Sequence, residues 1–229
     1  MNLITIFPNV IVGVSPGIIT YFNQSNFAGK LIVLALIIFS LVAWTLMIGK
    51  YLELKKLQQQ NDIVDSVFEK SSSALSMKSG TGPFSNLVKT VVDSYSSYTS
   101  LEDPAKGKLL LTQVEGALNR QVAKESVVYE SKMVMLGSIL SGAPFLGLLG
   151  TAWGVMDAFG SMALGGNASL QSLAPGVSGS LLTTVAALLV AIPSVFGYNF
   201  LASKMKQMVM ELENFASILL DQVELELNQ

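Results

Sequence analysis

Three long stretches of this chain carry no charge, and each is long enough for a helix to cross a bilayer. The first lies between Lys30 and Lys50 and holds 19 residues. The second runs from Met133 to Met156, 24 residues, and stops at Asp157. The third runs from Ala158 to Ser203. A helix needs ~20 apolar residues to cross ~30 Å of hydrocarbon. Only 13% of the 229 residues are charged, too few to coat a soluble core that buries three such runs. The expected fold is therefore an all-α integral membrane protein with three transmembrane helices.

Breaks and charges set the boundaries. The third run is too long for one span and contains Gly165, Gly166, Asn167 and Pro175. The spans are expected at 29–50, 133–157 and 179–202, with 158–178 as a short periplasmic loop or helix extension. Eleven of the fourteen Lys and Arg residues lie in 50–132, and Lys204 and Lys206 follow the third run. The positive-inside rule puts 51–132 and the C-terminal helix 203–229 in the cytoplasm and the N-terminus in the periplasm. Trp44 and Tyr51, near the end of the first run, suit an interface.

The remaining segments read as helix. Leu3, Phe7, Val10 and Val14, then Ile18 and Phe22, recur at helical spacing, so 1–28 is expected as an amphipathic helix at the outer face. Ser15-Pro16 resembles a cap followed by proline at the first helical position. Residues 50–76 continue the first span as a long cytoplasmic helix. Ser71–Gly82 is a break closed by Pro83, and a helix follows over about 84–98. Glu102-Asp103-Pro104 opens a helix that is expected to run directly into the second span. In the tail, Met205, Met208, Leu212, Phe215, Leu219 and Val223 form one apolar face.

The second and third spans are richer in small and hydroxylated residues than an anchor requires. Gly147, Gly150 and Gly154 let another helix approach closely. That helix could belong to the same chain, or to a neighbouring copy around a symmetric axis. Pro144 and Pro193 remove helix hydrogen bonds and are expected to kink their spans. Thr151, Thr183 and Thr184 suggest a polar path, although such hydroxyls also bond to their own helix. Asp157 borders the second span, either as a functional acid or as a solvated helix end.

Enzyme chemistry finds little support. The chain has no histidine and no cysteine, which removes the commonest base, thiolate nucleophiles and the usual metal ligands. Gly176-Val177-Ser178-Gly179 matches the GxSG of intramembrane serine proteases, but no histidine is present to activate the serine. An aspartyl protease needs a second carboxylate beside Asp157. No phosphate-binding glycine loop occurs. No catalytic residue, metal, cofactor or nucleic-acid partner is expected.

Three segments resemble a known family. Pro144-Phe-Leu-Gly-Leu-Leu-Gly-Thr-Ala-Trp-Gly-Val-Met-Asp-Ala-Phe159 resembles the second span of the TolQ/ExbB family, relatives of MotA-type flagellar stators. Ala174-Pro-Gly-Val-Ser-Gly-Ser-Leu-Leu-Thr-Thr184 and Ala191-Ile-Pro-Ser-Val-Phe-Gly-Tyr-Asn199 resemble its third span. The first span, with Phe39-Ser40 and Ala43-Trp44, and the tail around Phe215 look closer to TolQ. The resemblance implies a homopentamer in the bacterial inner membrane, surrounding the single spans of a TolR/ExbD-like dimer. Such complexes use the proton motive force to work on the outer membrane through a TolA- or TonB-like protein, for envelope integrity and division or for nutrient uptake. It places ion-path threonines at Thr151 and Thr184, with the essential aspartate supplied by the partner.

One position departs from the family. Its third span commonly carries a glutamate where this chain has Gly179. The chain could conduct without that acid, could use Asp157 or Ser180 in its place, could transmit force with altered ion use, or could serve as a scaffold that binds partners without conducting.

Overall fold

The computed structural model describes residues 16–68, 80–96, 106–165 and 170–227. Six helices occur among them: α1 (Pro16–Gln24), α2 (Phe27–Phe68), α3 (Pro83–Ser96), α4 (Lys106–Glu130), α5 (Met133–Gly165) and α6 (Leu170–Leu227). No strand is present among the described residues. Three helices, α2, α5 and α6, contain stretches long and apolar enough to cross a membrane. At 1.5 Å per residue, the 42 residues of α2 reach about 63 Å and the 58 of α6 about 87 Å. Both exceed the hydrocarbon thickness, so each span continues as helix beyond it. The fold is an all-α membrane protein.

Several boundaries differ from the expectations. Helix α4 does not run into α5: Ser131 and Lys132 form a turn, with Lys132 in the left-handed region at φ 69°. Of the stretch expected as a loop or helix extension, 158–165 and 170–178 are helix, continuing α5 and opening α6. Pro175 lies inside α6 instead of breaking it. Packing of small residues explains this: a Cβ on Gly176 would stand 3.0 Å from Ala158 Cβ, so the two extensions remain in contact. No helix boundary occurs at 203. Helix α1 starts at Pro16, as its fixed φ favours. The N-terminal part of the expected amphipathic helix, including Ser15, lies outside the described residues. So do 69–79 of the long helix and following break, 102–104 and Gly166-Asn167.

The chain divides into two compact units. The first takes in α1, the start of α2, most of α5 and the first part of α6. Its stretch of α2 buries a narrow stripe, Leu36 and Ala43, and leaves Leu34, Ile37, Ile38, Leu41 and Trp44 about half exposed. That surface would be a liability in water and suits lipid.

The second unit holds the rest of α2, all of α3 and α4, and the end of α6. Phe84, Leu87, Val88 and Val91 of α3 bury one face at helical spacing. The six residues of the expected tail face, Met205 to Val223, are all buried. Phe215 stacks on Phe84 with ring centroids 4.2 Å apart and meets Phe68 edge-on at 5.3 Å. At the start of α3, Gly82 takes φ 118°, which favours glycine, and Pro83 follows as the first helical residue.

Two buried polar groups join the helices of this unit. The Lys50 ammonium, with its side chain 1% exposed, donates to Glu53 Oε1 at 2.9 Å, to Val128 O at 3.2 Å and to Ser131 Oγ at 3.2 Å. Its three protons thus have three acceptors, one of them in the last turn of α4 and one on the turn that follows it. This fixes the turn that separates α4 from α5. Asn61 Nδ2 donates to the Tyr129 hydroxyl at 3.2 Å, and Asn61 Oδ1 accepts from Phe84 N–H at 3.3 Å. Burial pushes the Tyr129 phenol up to about 12; the bond from Asn61 opposes this, and the charges of Glu125 and Glu211 add to it. A phenol raised above its ordinary value of 10.0 stabilises the fold below that pH and loses the contribution as pH rises toward about 12. Ultraviolet titration should therefore show a late-ionising tyrosine that is absent from Tyr129→Phe.

Candidate functional site

Helices α5 and α6 meet in the first unit along a seam of small residues. Gly147, Gly150, Gly154 and Ala158 on α5 face Ala187, Thr183, Ser180 and Gly176 on α6. A Cβ on Gly147 would collide with Ala187 Cβ and stand 3.1 Å from Thr183 O. One on Gly150 would collide with the Thr183 hydroxyl, and one on Gly154 with Ser180 Cβ. The steps of three and four residues keep each set on one helix face. The GxxxG pair Gly150–Gly154 therefore packs against α6 of the same chain.

The seam brings the three threonines together around one carbonyl. Gly147 O lies 3.1 Å from Thr183 Oγ1, 3.2 Å from Thr184 Oγ1 and 3.3 Å from Thr151 Oγ1. Thr183 also reaches Ser180 O at 2.7 Å, Thr151 reaches Leu148 O at 2.8 Å, and Thr184 reaches Thr151 Oγ1 at 3.4 Å. Each hydroxyl has one proton and two acceptors in range, so it can rotate between them. Thr183 is fully buried, whereas Thr151 and Thr184 are half-buried and accessible from one side. The cluster can pass a hydrogen bond along. It holds no ionisable group, so a stable proton carrier must come from elsewhere. Asp157 is six residues beyond Thr151, about 9 Å along the axis.

The other singled-out residues occupy distinct places. Ser180 is buried and donates to Val177 O at 2.8 Å. Pro144 and Pro193 lie inside continuous helices. Asp157 is exposed and accepts from Asn26 Nδ2 at 3.2 Å. Gly179 is buried, and a Cβ there would stand 3.0 Å from both Ser25 N and Ser25 Cα. Sequence reasoning missed Asn26. The available signal was its place before Phe27: Asn26 Oδ1 accepts from Gly29 N–H at 2.8 Å, an N-cap geometry.

Comparison with known proteins agrees with this architecture. Residues 59–214 match the MotA/TolQ/ExbB proton channel family. The chain is 28% identical over 210 residues to the biopolymer transport protein ExbB of Xanthomonas campestris pv. campestris strain B100, covering 87% of this chain and 83% of that one. It is 32% identical over 187 residues to ExbB of Pseudomonas putida, covering 79% and 55%. It is 26% identical over 200 residues to the Tol-Pal system protein TolQ of Haemophilus influenzae, covering 85% and 88%. Both names recur at similar identity, so these matches do not separate a TolQ-like from an ExbB-like chain. The family match spans α5, the threonine cluster and most of α6, and the chain belongs to the MotA/TolQ/ExbB proton channel family.

Proposed function

We propose that this chain is the pore-wall subunit of an ion-driven motor in the bacterial inner membrane. Five copies surround the single spans of a TolR/ExbD-like dimer, and the proton motive force drives work on the outer membrane. The N-terminus and the connection between α5 and α6 face the periplasm; the second compact unit and the C-terminus lie in the cytoplasm. The observation that carries this reading is the convergence of Thr151, Thr183 and Thr184 on the Gly147 carbonyl, in a cluster with no acid of its own. Such a cluster suits a path completed by a carboxylate from a partner helix. Thr151 and Thr184 offer their hydroxyls to that carboxylate, and Thr183 braces the carbonyl from the buried side.

The work itself is Tol-Pal-type support of envelope integrity and division, acting through a TolA-like protein. The ExbB relatives favour a second reading, an energiser of TonB-type uptake. To test the ion path, the complex with its partner is reconstituted in vesicles and proton flux is measured. Thr151→Val with Thr184→Val removes both hydroxyls at nearly constant volume and should lower flux at least about tenfold. Unchanged flux would overturn the reading.

A further inference from the structure

The family's acid is missing at Gly179, and the structure shows what stands in its place. Backbone of the α1–α2 corner fills the space in front of Gly179, with Ser25 N and Cα at 3.0 Å and the Gln24 carbonyl carbon at 3.2 Å from a Cβ position. These are main-chain atoms, so no rotamer change makes room for a side chain. A side chain at 179 therefore pushes the docked corner's backbone back by a few tenths of an ångström.

The same corner delivers a carboxylate contact nearby. Asn26 performs two tasks with the two ends of its amide. Its oxygen caps α2 through Gly29 N–H, and its nitrogen donates to Asp157 on α5. Asn26 and Asp157 line a cavity of about 400 Å³, together with Gly154, Ser161, Gly176 and Ser180. Gly154 and Ser180 belong to the α5–α6 seam, and Ser180 lies one turn from Thr183 and Thr184 on α6. The cavity and the threonine cluster are therefore consecutive along one seam. One carboxylate with amide and hydroxyl neighbours suits a hydrated monovalent cation, sodium or hydronium. It is too weakly charged for calcium, which takes six to eight oxygen ligands, several of them carboxylates.

We propose that Asp157 is the entry acid of this chain's ion route, that Asn26 is its positioning residue, and that the cavity they line receives a hydrated monovalent cation. Gly179 is then the seat of the corner that brings Asn26 to Asp157. This rests on the ion-path reading above.

The test uses the full chain with its partner in vesicles, with proton and sodium flux followed separately. Asp157→Asn keeps a hydrogen-bonding partner for Asn26 but removes the charge, and should lower flux about tenfold, the loss of electrostatic focusing by a charged cleft. A purely structural Asp157 would leave flux unchanged. Asn26→Asp keeps the cap on α2 but sets two carboxylates against each other, and should also lower flux. Combining Asn26→Asp with Asp157→Asn returns one carboxylate to the same cavity and should recover most of it. Failure of the double variant to recover would overturn the role of Asn26. Separately, because the chain has no cysteine, Asn26→Cys with Asp157→Cys gives a single thiol pair that a short bifunctional methanethiosulfonate should join, and adding Gly179→Glu should lower the yield. An unchanged cross-linking yield with Gly179→Glu would overturn the seat. Normal flux from Asp157→Asn, with flux still lost on Thr151→Val with Thr184→Val, would overturn this inference and leave the ion path standing. Flux insensitive to the threonines would overturn both. Dependence on external sodium identifies sodium as the occupant, and its absence identifies hydronium.

Discussion

Replacing Lys50 by methionine is expected to destabilise the second compact unit by about 3 kcal/mol, the cost of removing one partner from a buried ion pair. Methionine replaces the apolar stem of the side chain but offers no donor. Val128 O and Ser131 Oγ would lose the proton donor that now reaches them from α2, leaving Val128 O only the Ser131 N–H at 3.3 Å. Glu53 would keep only Lys132, at 3.2 Å and on a side chain 61% exposed. Thermal denaturation in detergent measures the loss. Glu53→Gln added to Lys50→Met should recover part of it, because the stranded carboxylate is then neutral.

The pH dependence carries the same signature. Burial alone would raise the Glu53 carboxyl; the bond and charge of Lys50, followed by those of Lys132, outweigh it and hold Glu53 below its ordinary value of 4.5. A depressed carboxylate stabilises the fold above that ordinary value, and the contribution is lost as pH falls through the lower folded value. Lys50→Met removes the stronger restraint. The acid-induced loss of stability that comes from Glu53 should then be smaller than in the parent chain.

The network shows where the sequence was readable and where it was not. The three spans were legible because lipid tolerates no stray charge, and each uncharged run announces itself without any knowledge of neighbours. The tail face from Met205 to Val223 was legible for a related reason, since its period of three to four residues is a local property. Lys50 was visible only as the charge that ends the first run. Its acceptors on Val128 and Ser131 are some eighty residues away, and no local pattern announces them. The turn at Ser131–Lys132 was missed on the same account. It contains neither glycine nor proline, and what holds it is a tertiary contact. Around 158–178 the sequence left loop and helix extension both open, because Pro175 and the glycines signal a loop while the Ala158–Gly176 contact favours helix on both sides. At the candidate site, the threonines were legible by type, and the acid absent at Gly179 only through the resemblance to the family. That Gly179 faces the backbone of Ser25 was not, because the pair is 154 residues apart in the chain.

Gly150→Leu is expected to have the largest effect of any single change in the first unit, about 4 kcal/mol, from overpacking together with the hydrogen bonds it breaks. Thr183 Cβ and Cγ2 would stand 2.7 and 2.9 Å from a Cβ at this position, and the Thr183 hydroxyl still closer. Thr183 cannot swing aside cheaply. It is β-branched and fully buried, and its hydroxyl is engaged with Gly147 O and Ser180 O. The helices must separate instead, and separation pulls Thr184 away from Gly147 O and from Thr151. Stability and ion flux should therefore fall together. Gly150→Ala should show the same direction at a smaller size, and Thr183→Ala should relieve part of it by removing two of the three colliding atoms. Gly142→Ala is the control: a Cβ there meets nothing within 4 Å, and alanine favours helix over glycine by up to about 1 kcal/mol. If Gly150→Leu melted like the parent chain, the seam would not be held by close approach. If it melted early and conducted normally, the threonine cluster would not depend on that seam.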